Sequence, residues 1–261
     1  MADHPILMSA PMVRAILREI EQPGTGKTQT RRLITPHNFK LLGHDFRFHR
    51  PDTDTLASAL NGARDFRWIE GAFSWLAEPG GINSMAVAVQ GRGRPAIAPG
   101  DRLFIRETWA VSTIYDNVKP RDINPDGKPD WCGIRYGATD ERRGIKDRVS
   151  IHMPRWASRL TLYVTEVRVE RLQDISEADA WAEGCMRGLR DDVGGFFPAE
   201  EPDPSGIGQR GWDCARDWYA DLWDSINGAD AWDANPWVFA YSFVPYPENI
   251  DNLPTTLPVA A

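Results

Sequence analysis

Between Leu160 and Leu172 the apolar residues alternate along the chain, and the alternation slips once. Leu160, Leu162 and Val164 keep one phase, and Val167 and Val169 keep the other. Alternation at period two is the mark of a strand with one buried face. A one-residue slip at Thr165-Glu166 predicts a bulge, which bends the strand. Such a strand belongs in a curved sheet, and its neighbours have to be found among the other strand-like segments. Arg102-Leu103-Phe104-Ile105-Arg106 follows a turn at Pro99-Gly100-Asp101, and Trp237, Phe239, Tyr241 and Phe243 alternate near the end of the chain. Residues 28–34 are rich in threonine, close on Leu33-Ile34 and stop before Pro36.

Helical signals lie between these strands. Ser9 and Pro11 open a helix whose apolar residues are Met12, Val13, Ile16, Leu17 and Ile20, and Pro23, Gly24 and Gly26 end it. Ser176-Glu177-Ala178-Asp179 is a capping signature that starts a short helix reaching about Glu183, with Gly184 as its stop. Residues 213–226 place Ala215, Trp218, Tyr219, Leu222, Trp223 and Ile226 on one stripe, ended by Gly228. Strands do not alternate regularly with long helices, which excludes a doubly wound parallel sheet. The expected fold class is α+β, a compact bent sheet or small β-barrel decorated by helices.

The chain reads as one domain over residues 1–245, with insertions of little regular structure at about 37–98, 113–150 and 186–211 and an extended or disordered tail at 246–261. Within the first insertion, Met85-Ala86-Val87-Ala88-Val89 alternates, whereas Gly91-Arg92-Gly93-Arg94-Pro95 reads as a basic, solvated loop. A chain of 261 residues is long enough to bury a sizeable core without disulfides. Its three cysteines, Cys132, Cys185 and Cys214, lack any CxxC spacing and point to a reducing cytoplasm. The first twelve residues do not form a signal peptide, and no apolar run reaches the ~18 residues of a membrane span, so no membrane partner is expected. A net charge of −7 argues against coating nucleic acid through global positive charge, while leaving room for a local basic pocket. His4, His44, His49 and His152 do not form a metal-ligand pattern, and Asp116, Asp122, Asp126 and Asp130 lack calcium-loop spacing. No metal or cofactor is expected.

The chemistry concentrates in Gly24-Thr25-Gly26-Lys27-Thr28-Gln29-Thr30-Arg31-Arg32-Leu33-Ile34. Gly26-Lys27-Thr28 imitates the end of a phosphate-binding loop. That loop needs a glycine five residues before its Gly-Lys pair, where this chain has Glu21, and it needs to follow a strand and open a helix. Here a helix comes first, so a nucleotide triphosphatase is set aside. Lys27 and Thr30 instead supply a base and a nucleophile if the turn brings them together. A threonine hydroxyl attacks only when a base takes its proton, and a lysine serves once burial or cationic neighbours such as Arg31 and Arg32 lower its pKa. From spacing alone a basic, solvated hairpin edge accounts for the same residues more economically.

Four separated blocks, taken in order, resemble ASCH-domain proteins of the PUA-like superfamily, of the kind encoded by phages and prophages. They are Lys27-Thr28-Gln29-Thr30-Arg31 after its helix and glycine turn; the run from Pro99 to Trp109; Leu172 to Gly184; and Asn235-Pro236-Trp237-Val238-Phe239. Ile151-His152-Met153-Pro154-Arg155-Trp156 also fits. The resemblance implies a small PUA-like barrel handling RNA or modified bases in the cytoplasm of a bacterial host. Some relatives of that kind are amidohydrolases of N4-acetylcytidine, which implies Lys27, Thr30 and Glu183 as catalytic residues and a nucleoside or nucleic acid as partner. Arg31, Arg32, Arg106, Glu107 and Trp109 are the candidate substrate-binding residues, with an arginine holding a phosphate or an oxyanion. Other members of the family are RNA-binding modules or ribonucleases, the alternative reading. This chain departs from the small enzymes in having Thr25 at their glycine position, a longer connection from the helix, and its insertions.

Overall fold

The computed structural model of the chain describes residues 1–41, 60, 63–69, 72–77, 89–123, 133–140, 144–190, 195–199 and 212–254. In chain order the elements are β1 (Asp3–Leu7), α1 (Ala10–Glu21), β2 (Gln29–Leu33), β3 (Phe39–Leu41), β4 (Ala63–Ile69), β5 (Ala72–Ala77), β6 (Val89–Pro95) and β7 (Arg102–Arg106). There follow β8 (Trp109–Ala110), β9 (Arg135–Tyr136), β10 (Thr161–Arg171), α2 (Glu177–Ala182), β11 (Met186–Arg190), β12 (Phe196–Ala199), α3 (Ala215–Asn227) and β13 (Trp237–Tyr246). The fold is α+β.

The central sheet has the order β1-β7-β10-β13-β2, with β1 parallel to β7 and every other pair antiparallel. The long ribbon of β10 and β13 carries the register shift between Val164 and Glu166, where the sequence slips phase. Among the described residues no sheet closes into a barrel: β1 and β2 are the two edges of this one. Pro5 in β1 is compatible with an edge position, where a missing N–H costs no ladder bond.

The first insertion is more regular than its composition implies. Strands β3 to β6 form a four-stranded antiparallel sheet in the order β3-β6-β5-β4. The stretch expected to be a solvated loop, Gly91 to Pro95, lies inside β6. Gly93 is there for space: a Cβ at this position would sit 2.1 Å from the Phe39 ring. This sheet packs on the central one through Phe39 and Phe73, both against Phe239 of β13, and through Phe66 against Trp237. Met85 to Ala88 lie outside the described residues. Around the second insertion, Ile123 within it joins Trp109 and Val111 before it and Met153 and Ala157 after it in a small core of their own. The third carries the β11–β12 hairpin, with residues 200–211 outside the described set.

The tail is likewise ordered where described. Ile250 is fully buried, the Asn249 side-chain amide donates to the carbonyls of Arg155 and Ser158, and Arg102 donates to the carbonyls of Ile250 and Leu253. Asp3 ties this corner together by accepting from Arg102 at 2.8 Å and from Arg155 at 2.7 Å. Among the described residues no helix is long and apolar enough to cross a membrane.

Candidate functional site

The glycine turn between α1 and β2 is fixed from all sides. The Glu19 carboxylate accepts the backbone N–H of Gly24 and of Gly26 at 2.8–3.0 Å. The Lys27 N–H donates to the Ala15 carbonyl and the Thr28 N–H to the Ala182 carbonyl of α2. Arg18 bridges the same region, donating to the carbonyls of Thr25 and Gly184. In a phosphate loop these amides would face an anion. Here a glutamate of the chain itself satisfies two of them. Gly26 has no room for a side chain, because a Cβ would lie 2.2 Å from the Ala15 carbonyl oxygen. The turn presses onto α1 and aims the next side chain, Lys27, inward.

Lys27 is 1% exposed and meets Glu183, which is 2% exposed. Its ammonium donates to the Glu183 carboxylate at 2.6 Å and to the Glu183 carbonyl at 2.7 Å. Glu183 stands at the C-terminal cap of α2, where a cation favourably meets the unpaired carbonyls of a helix end. Burial is the largest influence on Lys27 and lowers its pKa below the ordinary 10.5; Glu183 opposes this, while Arg32 and Arg31 add to the lowering. Arg31 donates to the other Glu183 oxygen at 2.9 Å and to Glu170 at 2.8 Å, and lies 3.5 Å from Asp179. Tyr219 of α3 lines one cavity with Glu183. Burial, then the charge of Glu183, raises the Tyr219 pKa well above 10.0, so the phenol keeps its proton.

The helices are placed to hold this group. Ser176 caps α2, its hydroxyl accepting the Asp179 N–H at 3.1 Å, as the signature implied. The Asp179 carboxylate accepts from Gln29 of β2 at 2.7 Å and from Arg168 of β10 at 3.1 Å. Burial would raise its pKa, but Gln29, Ser176 and Arg168 outweigh that and hold it below 3.8. Glu177 reaches from α2 to α3 and accepts the Ala215 and Arg216 N–H groups, capping α3 where its own N-cap residue, Cys214, makes no side-chain bond. The two helices are therefore pinned end to end, with Glu183 on one and Tyr219 on the other.

A cavity of about 620 Å³ opens over this group, within the ~300–1,000 Å³ usual for small-molecule sites. Lys27, Thr30, Arg31, Arg32 and Glu183 all line it, together with Tyr219 and Trp223 of α3. Consecutive strand residues face opposite sides, and an edge strand such as β2 allows one cavity to meet both. Thr30 is paired with Tyr241 of β13, is 3% exposed, and its hydroxyl has no hydrogen-bond partner among the described residues. Among the described residues the Trp223 indole N–H has no partner either. The sequence stripe treated Tyr219 and Trp223 as core. They are core by volume, and what periodicity cannot register is their polar atoms.

Three other sequence candidates lie elsewhere. Glu107 is buried and held by both arms of Arg159, at 2.9 and 3.1 Å. Trp109 is fully buried in the small core it forms with Val111, Ile123, Met153 and Ala157. Arg106 donates to the Ile151 carbonyl and lies over Phe104. None of the three lines the cavity, although their neighbour Thr108 does. Cys185, two residues past Glu183, is no competing nucleophile, since burial pushes its thiol up to about 12. Among the described residues no group of three or more His, Cys, Asp or Glu side chains could hold a metal ion.

Compared with protein-family models, with curated proteins and with solved structures, the chain finds no match in any of the three.

Proposed function

We propose that the protein hydrolyses an amide on an N-acylated nucleobase, with Thr30 as nucleophile and Lys27 and Glu183 as its proton-transfer pair, on a fold of the PUA-like ASCH type. The observation that carries the reading is the meeting of Lys27 and Thr30 with Glu183, some 150 residues further along the chain, on one cavity, with Lys27 and Glu183 joined at 2.6 Å. A buried ion pair at this distance is one proton move away from a neutral amine beside a neutral acid. That form holds a base and an acid together. Lys27 takes the Thr30 hydroxyl proton as the oxygen bonds to the acyl carbon. Glu183 gives its proton to the departing nitrogen as the C–N bond breaks. The ion pair is thereby restored. Water then attacks the acyl-threonine, Glu183 takes its proton, and Lys27 returns a proton to Thr30, releasing a carboxylic acid. The oxyanion develops in a cavity lined by three cations and one carboxylate, a favourable field for negative charge.

The test is incubation with N4-acetylcytidine and chromatography for cytidine and acetate. Turnover in the parent protein, with kcat lowered by about a thousandfold or more in Lys27→Met and Thr30→Val, is the expected result. Absence of turnover on N-acylated nucleosides and nucleotides removes the substrate; turnover that survives both substitutions removes the residue roles.

A further inference from the structure

The charges around the cavity are unevenly matched. Lys27 is met by Glu183, and Arg31 by Glu183 and Glu170. Arg32 has no such partner. Its guanidinium, half-buried on β2, donates to the Leu7 carbonyl at 2.7 Å and approaches the Met8 sulfur at 3.7 Å, and no carboxylate pairs with it among the described residues. Both contacts use one terminal nitrogen, leaving the other donors of a five-donor fork uncommitted. Burial lowers the Arg32 pKa, and the attraction of Glu183 does not fully compensate. A half-buried cation with donors uncommitted, lining a cavity, is open to an anionic ligand. On the same cavity Trp223, 5% exposed, holds an indole N–H that no atom of the described residues accepts.

We propose that Arg32, assisted by the Trp223 indole N–H, forms an anion subsite of this cavity and that its natural occupant is the phosphate of a free mononucleotide. The inference rests on the reading that the cavity takes a nucleobase, and it specifies the form in which that base arrives. Guanidinium forks match phosphate oxygens in geometry as well as charge. The same phosphate could belong to a polymer, but two observations favour the monomer. The large apolar residues exposed on the cavity wall are aliphatic, Leu7, Leu33 and Ile226, whereas single strands rest on exposed aromatic rings. The net charge of −7 also repels a polyanion outside the cavity.

The test is titration calorimetry of the full chain with cytidine, cytidine 5′-monophosphate, ribose 5-phosphate and a short cytidine-containing oligonucleotide. The monophosphate is expected to bind at least about tenfold more tightly than the nucleoside. Arg32→Gln abolishes that preference, Arg32→Lys retains part of it, and Trp223→Phe reduces it; Arg121→Gln, at an exposed site, leaves it intact. The parent comparison needs no variant, so misfolding of a substituted chain cannot hide the answer. Equal affinity for nucleoside and monophosphate overturns the subsite, even where N4-acetylcytidine is hydrolysed. Tight monophosphate binding without hydrolysis of N4-acetylcytidine or its 5′-phosphate leaves the subsite standing and removes the hydrolase. Tighter binding of the oligonucleotide than of the monophosphate overturns the assignment to a free nucleotide.

Discussion

Replacing Glu183 by Gln should cost far more when Lys27 is present than when it is absent. In the parent protein Glu183 neutralises Lys27 at 2.6 Å and shares Arg31 with Glu170. After Glu183→Gln, Arg31 keeps Glu170, but Lys27, at 1% exposure, keeps only a backbone carbonyl. Leaving a buried charge uncompensated costs about 3–5 kcal/mol, and Gln still accepting one hydrogen bond points to the lower end. Lys27→Met is milder, about 1–2 kcal/mol, because Glu183 retains Arg31 while the ammonium's desolvation is relieved. In the double variant no orphaned ammonium exists, so its cost should fall short of the sum by about 2 kcal/mol. Urea unfolding followed by tryptophan fluorescence measures this. At a slope near 3 kcal/mol per molar, Glu183→Gln moves the midpoint down by about 1 M. Additivity of the two single costs to within about 0.5 kcal/mol would refute the idea that the pair compensates itself.

Other outcomes follow from the same geometry. Gly26→Ala should lose about 3 kcal/mol or more, because the new methyl meets helix backbone at 2.2 Å, whereas Gly24→Ala, at φ +83° with open space around it, should lose about 1 kcal/mol; thermal melts of the two compare them directly. Activity should fall as pH rises through the Lys27 pKa, which burial and the nearby arginines hold below 10.5, since the shared proton of the pair is then lost. Arg32→Gln removes one of those cations, favours the ammonium, and should move this limb of the kcat profile to higher pH. Burial raises the Asp3 pKa, but Arg102 and Arg155 outweigh it and hold the group below 3.8. Its contribution to stability is therefore present above that value and lost as pH falls through the lowered one, and Asp3→Asn should flatten the acid limb of a stability–pH curve in that window.

Local signals carried most of what the sequence revealed. The Ser176 cap, the amphipathic stripes of α1 and α3 and the phase slip in β10 all depend on neighbours within one or two turns of chain, and all are found in the structure. The β3–β6 sheet was hidden because its ordering force comes from elsewhere. Gly93 reads as flexibility in isolation, but it is the gap into which the Phe39 ring fits. Residues 246–254 read as part of a loose tail because Arg102 and Asn249, which hold them, act on backbone carbonyls that no side-chain pattern displays. Glu107 and Trp109 enter as candidates only with the Pro99–Trp109 run that carries the resemblance. The structure spends the first on Arg159 and the second on a core.

The glycine turn shows how one local motif can be built in two different ways. A phosphate loop offers its backbone N–H groups to the ligand and uses its lysine as a supplementary charge. In this turn Glu19 already occupies the Gly24 and Gly26 amides, and Lys27 is directed inside against Glu183. Backbone recognition is closed off, and the groups that remain for a ligand are side chains further along: the Thr30 hydroxyl and the Arg32 guanidinium. They are two residues apart and share one face of β2, so a molecule held at Arg32 lies along the strand from the proposed nucleophile. Strand residues two apart are separated by about 6–7 Å, a span suited to a ligand whose anionic group and reacting carbonyl are distinct. An insertion of one residue between Arg31 and Arg32 would put Thr30 and Arg32 on opposite faces. It should uncouple phosphate preference from turnover while leaving the Lys27–Glu183 pair in place.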